Sequence, residues 1–276
     1  MTRTDGTLTS RDGTELFFQH WQIDGPTKAV LCLVHGLGEH SGRYDHVAET
    51  FNAAGYAVIA FDTRGHGRSP GTRGHTPFDR TMEDVTALLD RAAELYPGLP
   101  RFLYGHSLGG LIVLTHVLRV HPEITGVVAT SPGLASPLLD QKLKIGAAKL
   151  LGSVLPTVTV PTGLDANLIS RDPEVVKVYL DDPLVHDKST LALGRDGALA
   201  AEYALEHAGE VDVPLLVVHG TGDEITYARG SEEFVAKVPG DKALHLYDGA
   251  FHETHNEPES AQVLADTIAW LDAHVA

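Results

Sequence analysis

Six consecutive apolar residues, Ala29-Val-Leu-Cys-Leu-Val34, constrain the fold of this chain more than any other feature. Side chains alternate between the two faces of a strand, so a run with no polar residue at either parity needs cover on both faces. That describes a central strand of a parallel sheet. Short runs of similar character recur at 57–61, 101–104, 124–130, 214–220 and 243–247. Helical patterns separate them, at 43–54, 81–96, 107–120, 230–238 and 258–275. The second of these sets Met82, Val85, Leu88, Leu89 and Ala92 on one face. Strand–helix alternation of this kind predicts an α/β fold, a mostly parallel sheet with helices on both faces. Before it, Leu16-Phe-Phe-Gln-His-Trp21 alternates as a strand, and Asp12-Gly13 reads as the hairpin turn that leads into it. The rhythm breaks between 136 and 210. That interval is apolar and helical over 138–155, then punctuated by Pro and Gly, then helical again from Arg171. An insertion of this size between two strands would sit over the sheet edge. The expected organisation is therefore a core of 1–135 and 211–276 with a cap, or lid, of 136–210.

Composition narrows the partners. The formal charge of −16, from 37 acidic against 21 basic residues, excludes the concentrated basic face that nucleic acid needs and disfavours electrostatic docking on anionic lipid. The single cysteine, Cys32, lies inside the apolar run and reads as core; one cysteine allows no intramolecular disulfide and no all-cysteine metal site. Residues 1–10 carry no apolar segment of the secretory type, and no stretch approaches 18 apolar residues. The expectation is a cytoplasmic protein.

Chemistry concentrates at Gly105-His-Ser-Leu-Gly109, a G-x-S-x-G pattern that follows the strand at 101–104 and opens the helix at 107–120. Such a turn lifts Ser107 off the sheet as a nucleophile. Glycines at 105 and 109 are needed because side chains there would strike the neighbouring strand or helix. His35-Gly-Leu-Gly38 follows the run at 29–34, where the loop supplies one oxyanion N–H; the residue after the nucleophile supplies the other. The backbone amides of Leu37 and Leu108 are the candidates. His35 itself reads as a loop packing element and not a metal ligand. Acid and base should follow in the order Ser, Asp or Glu, His. The strand at 214–219 ends in Gly220-Thr-Gly-Asp-Glu224, which offers Asp223, with Glu224 as the alternative. The strand at 243–247 leads to Asp248-Gly-Ala-Phe-His-Glu-Thr-His255, which offers His252, with His255 as the alternative. A Ser–His–Asp set does nucleophilic acyl transfer through a covalent intermediate and calls for no metal and no cofactor.

Once assembled, these residues resemble the monoacylglycerol lipase and lysophospholipase-like family of the α/β-hydrolase superfamily, over nearly the whole chain. The similar segments are His35-Gly-Leu-Gly-Glu-His-Ser-Gly-Arg-Tyr44, Asp62-Thr-Arg-Gly-His-Gly-Arg-Ser69 and Gly105-His-Ser-Leu-Gly-Gly110. More discriminating are Leu155-Pro156, Ile169-Ser-Arg171 and Tyr179-Leu-Asp-Asp-Pro-Leu-Val185, which resemble the cap of that family, and Gly249-Ala-Phe-His252 with Asn256-Glu257, which resemble its histidine loop. The resemblance implies an eight-stranded sheet with a helical cap between strands six and seven. It implies the triad Ser107, Asp223 and His252 with the amides of Leu37 and Leu108, acting on a small lipid ester. It implies Glu39, Arg43, Tyr179 and His255 around the glycerol end of the pocket. Lysophospholipase, general carboxylesterase and aminopeptidase activities on the same scaffold remain open. Leu139, Leu143, Leu150, Leu151, Val154 and Leu155 share a helical stripe in the cap, readable as a tunnel wall, a transient membrane contact or packing on the core. The chain lacks the pocket cysteine of the vertebrate members, so it should not share their thiol sensitivity.

Overall fold

The structure, a computed structural model, describes residues 2–141, 146 and 150–275. It opens with a hairpin, β1 (Thr2–Thr9) and β2 (Glu15–Gln22), turned where Gly13 adopts φ 82°. There follow β3 (Ala29–Val34), α1 (Asp45–Ala53), β4 (Tyr56–Phe61), α2 (Phe78–Leu95), β5 (Arg101–His106), α3 (Leu108–Val120) and β6 (Gly126–Thr130). After a long interval the alternation resumes with β9 (Leu215–Gly220), α6 (Ala228–Lys237), β10 (Lys242–Tyr247) and α7 (Ser260–His274). The interval holds β7 (Thr159–Pro161), α4 (Pro173–Asp181), β8 (Lys188–Thr190) and α5 (Leu191–His207).

Eight strands form one sheet in the order β1-β2-β4-β3-β5-β6-β9-β10, antiparallel at β1–β2–β4 and parallel elsewhere. This is the α/β-hydrolase sheet that the resemblance implied. The run at 29–34 shows why. Val30, Cys32 and Val34 face one core, built with α2, α3 and α6, whereas Ala29, Leu31 and Leu33 face the other, under α1 and α7. Neither face of β3 meets water, so neither parity tolerates a polar side chain.

The interval 136–210 is not uniform. Its last helix, α5, is rooted in the main core, where Ala200, Ala201 and Ala204 join the cluster packed on α3. A short two-stranded sheet, β7 with β8, also lies within it, and three-residue strands carry too little periodicity to be seen in sequence. Among the described residues no helix is long and apolar enough to cross a membrane.

Chain order places the chemistry. β4 lies on one side of β3 and β5 on the other, so a crevice opens at the carboxyl ends where the winding direction reverses. The loops after β3 and β5 meet there, joined by those after β9 and β10.

Candidate active site

Ser107 occupies the turn between β5 and α3 at φ 55° and ψ −117°, a region an L-residue with a side chain rarely adopts. Its neighbours hold it there. A Cβ on Gly105 would lie 2.3 Å from the Gly109 carbonyl oxygen, and one on Gly109 would lie 2.1 Å from that of Val34, so no larger residue fits either place. The Ser107 N–H donates to Thr130 O at 2.9 Å and ties the turn to β6.

The structure brings the three sequence candidates into one row. His252 Nε2 lies 2.9 Å from Ser107 Oγ, and His252 Nδ1 lies 2.7 Å from Asp223 Oδ2. A carboxylate accepts, so Nδ1 carries the proton and Nε2 is left to receive that of Ser107. Asp223 is buried, and its Oδ1 takes the backbone N–H groups of Ile225 and Thr226 at 2.8 and 2.9 Å. Burial alone would raise its pKa, but His252 and His219 at its oxygen hold it well below the usual carboxylate range. Burial likewise pulls His252 down, yet the charge and hydrogen bond of Asp223 outweigh it and leave the imidazole above its ordinary value. The alternatives fall elsewhere. Glu224 is exposed, and His255 stacks on Tyr44 at 5.1 Å and meets His106 edge to face at 4.9 Å with its Nδ1 buried and unpartnered.

Leu37 and Leu108 border the same cavity as Ser107. Leu108 is the first residue of α3, where a helix leaves its N–H groups without an internal partner. Gly36 lets the other loop close in, since a Cβ there would stand 3.2 Å from that of Ser107.

Of the four residues implied for the glycerol end, Glu39 and Tyr179 border the cavity, whereas Arg43 and His255 are not among its lining residues. Arg43 clamps two carboxylates, donating to Glu39 at 2.7 Å and to both oxygens of Glu253 at 2.6 and 2.8 Å, with its guanidinium 4.7 Å from the centre of the Tyr179 ring. Glu253 borders the cavity and was missed in sequence; its adjacency to His252 was the only available sign. Burial would raise the Glu253 pKa, but Arg43 prevails and keeps it ionised. The cavity holds about 410 Å³, and Leu111, Leu139, Leu164, Ile169, Leu193 and Ile225 supply much of its apolar wall. Leu143 lies outside the described residues.

The family model described as "Serine aminopeptidase, S33" matches residues 25–259. The chain belongs to that family. This S33 member is 38% identical to a monoacylglycerol lipase of Mycolicibacterium smegmatis, over 99% of both chains. The crystal structure of a monoacylglycerol lipase from Paleococcus ferrophilus superposes with a TM-score of 0.88 at 38% identity, covering 94% of this chain and 99% of that one. An uncharacterized abhydrolase domain-containing protein of Dictyostelium discoideum is 35% identical over the whole of this S33 member, which spans 30% of that larger protein.

Proposed function

We propose that this chain is a monoacylglycerol lipase, a serine hydrolase that cleaves one fatty-acyl ester and releases the acid and glycerol. One observation carries the reading. The Ser107–His252–Asp223 row opens into a single cavity with a largely apolar wall that also exposes the polar groups Glu39, Tyr179 and Glu253. The names of the Mycolicibacterium and Paleococcus relatives support the same substrate.

In the mechanism, His252 Nε2 takes the Ser107 proton as Oγ attacks the ester carbonyl. The tetrahedral oxygen draws on the N–H groups of Leu37 and Leu108, donors typically worth about 3–4 kcal/mol each in such sites. His252 then protonates the departing glycerol oxygen, and a water activated by the same nitrogen hydrolyses acyl-Ser107. Asp223 fixes the Nδ1–H tautomer and stabilises the imidazolium. Residues 136–210 act as the cap, supplying Leu139, Leu164, Ile169 and Tyr179 to the cavity wall. The exposed side chains of Leu150, Leu151, Val154 and Leu155 would touch the lipid surface from a cytoplasmic enzyme.

A second reading has one observation in its favour. Two carboxyl groups on the cavity wall, Glu39 and Glu253, could receive the α-ammonium of a peptide, as an aminopeptidase would require. Release of p-nitroaniline from an amino-acid anilide, unmatched by monoacylglycerol hydrolysis, would favour it.

The test is Ser107→Ala, which is expected to lower kcat on a monoacylglycerol by roughly 10⁴–10⁶ while circular dichroism stays native. Retention of more than a tenth of the activity would remove Ser107 from the mechanism.

A further inference from the structure

Two side chains outside the triad, His219 and Thr226, converge on its acid, and a third, Ser231, holds His219. His219, the fifth residue of β9, is fully buried, and its Nε2 lies 3.1 Å from Asp223 Oδ2 and 2.9 Å from the Thr226 carbonyl oxygen. Both neighbours only accept, so Nε2 carries a hydrogen. The other ring nitrogen, Nδ1, lies 2.7 Å from Ser231 Oγ on α6, a hydroxyl able to donate to it. The Thr226 hydroxyl stands 2.9 Å from Asp223 Oδ2 and 3.0 Å from Ser131 O, with one proton for two acceptors. Oδ2 is also the oxygen that receives His252 Nδ1–H, at 2.7 Å. One carboxylate oxygen therefore stands between two imidazole N–H groups, one from the loop after β10 and one from β9 itself.

We propose that His219 is a positioning residue for the triad acid: locked as its Nε2–H tautomer by Ser231 and the Thr226 carbonyl, it pins Asp223 Oδ2 toward His252 and takes a share of that oxygen's negative charge. The inference rests on the functional reading of Ser107, His252 and Asp223 given above. The lock is a matter of register. Residues i and i+4 here are His219, within a strand, and Asp223, past the turn at Gly220, and the loop folds back so that the carboxylate meets the ring of its own strand. A Cβ on Gly220 would lie 2.2 Å from the Ala250 carbonyl oxygen, so the turn stays tight against the histidine loop.

The sign of the effect on the base follows. A second donor on Oδ2 withdraws charge that would otherwise stabilise the His252 imidazolium, so its removal raises the basicity of His252. The other groups facing His252 are His106 from the end of β5, with ring centres 4.8 Å apart, Glu39 from the loop after β3, and Glu253 beside it, itself neutralised by Arg43. None of these is hydrogen-bonded to His219, whereas the Thr226 hydroxyl stands 3.2 Å from His252 Nδ1 and 3.5 Å from His219 Nε2, so a change at 219 reaches His252 through Asp223 and the Thr226 hydroxyl bonded to it.

The experiment measures kcat/KM against pH for the wild type, His219→Leu and His219→Gln on a soluble p-nitrophenyl ester, with rates normalised to sites titrated by a fluorophosphonate. His219→Leu is expected to lower kcat about tenfold and to move the acid limb up by about half a pH unit. His219→Gln, which keeps an N–H donor of similar reach, is expected to hold the acid limb at the wild-type position. An unmoved limb in His219→Leu overturns the proposal, since a packing role alone would lower the number of titratable sites and leave the limb in place. Should His219→Leu not fold, ¹⁵N NMR of histidine-labelled wild type decides: protonated Nε2 with bare Nδ1 at His219 supports the proposal, and the Nδ1–H tautomer overturns it. His252→Ala in the same series separates the two levels. If it keeps its activity, the triad reading itself is wrong; if it is inert while the limb of His219→Leu stays fixed, only the role of His219 is lost.

Discussion

Two stretches of the segment 136–210 behave as different kinds of structure. Residues 166–190 are bonded to the loop after β3 and to the loop after β10. On one side Glu253 N–H donates to Ile169 O at 2.7 Å, Ser170 Oγ donates to Asn256 O, and Arg171 pairs with Glu257 and Glu259 beside His252. On the other, His186 N–H donates to Gly38 O at 2.9 Å and His40 meets Asp182 at 2.9 Å, next to Leu37. Gly38, at φ 78°, has no room for a Cβ, which would lie 2.4 Å from the His186 carbonyl oxygen. The stretch around 150–158 instead shows its apolar side chains to solvent, with Leu150 and Val154 exposed by 68% and 69%. Its ties include Arg195 to Gly152 O and, further back, the surface pair Arg229–Asp140. The first stretch is fastened to the loops that bear Leu37 and His252. The second presents leucines and a valine to solvent.

The largest effect should come from breaking the bonded side. Arg171→Ala leaves the fully buried carboxylate of Glu257 without its cation. Removal of one partner from a buried pair costs about 3–5 kcal/mol, reduced here to roughly 2–3 because Arg171 is a third exposed. Thermal denaturation should show a clear fall in Tm, and kcat should drop at least tenfold because the loop bearing His252 loosens. An unchanged Tm would mean that this stretch merely leans on the histidine loop.

A smaller, substrate-dependent effect is expected on the exposed side. The double substitution Leu150→Ser with Val154→Ser should shift stability by no more than about 0.5 kcal/mol, as surface changes do, and leave hydrolysis of a water-soluble short-chain ester untouched. Turnover of monoacylglycerol presented in vesicles should fall several-fold. Equal loss on both substrates would make this stretch part of the cavity rather than a contact surface.

The smallest effect is a matter of position on the pH axis. His252 is held above its ordinary value, so the base is lost by protonation as pH falls through that raised pKa, and the acid limb of kcat/KM should lie above about 6.5. The same shift stabilises the fold below the unfolded pKa and fades as pH rises through the folded one. The Leu150/Val154 variant should keep this limb in place, whereas Arg171→Ala should displace it.

Much of this arrangement is legible in the sequence, and the line between legible and hidden is a physical one. Strands buried on both faces, such as 29–34, announce themselves because no polar residue is tolerated there. The turn at Ser107 does so because glycine alone fits at 105 and 109. The choice of Asp223 over Glu224 and His252 over His255 rests on the room their loops leave, and His252 lies within hydrogen-bond reach of both Asp223 and Ser107. What depends on distant contacts stayed hidden. Arg43 reads as a headgroup ligand until Glu253, 210 positions away, takes both its nitrogens. His219 reads as one more residue of β9 until Ser231 and Thr226 fold around it. The β7–β8 pair is too short for its period to register.

The central claim, a monoester hydrolase with polar groups waiting at one part of its cavity, is tested most directly by kcat/KM on a monoacylglycerol and the triacylglycerol of the same acyl chain. The triacylglycerol must bring two further chains against groups such as Glu39 and Glu253, which then lose water without gaining partners. A cost of a few kcal/mol corresponds to a preference of about 10²-fold or more for the monoacylglycerol. Lysophosphatidylcholine, with its larger headgroup, should fall between the two or below both. Equal or faster hydrolysis of the triacylglycerol would contradict the account.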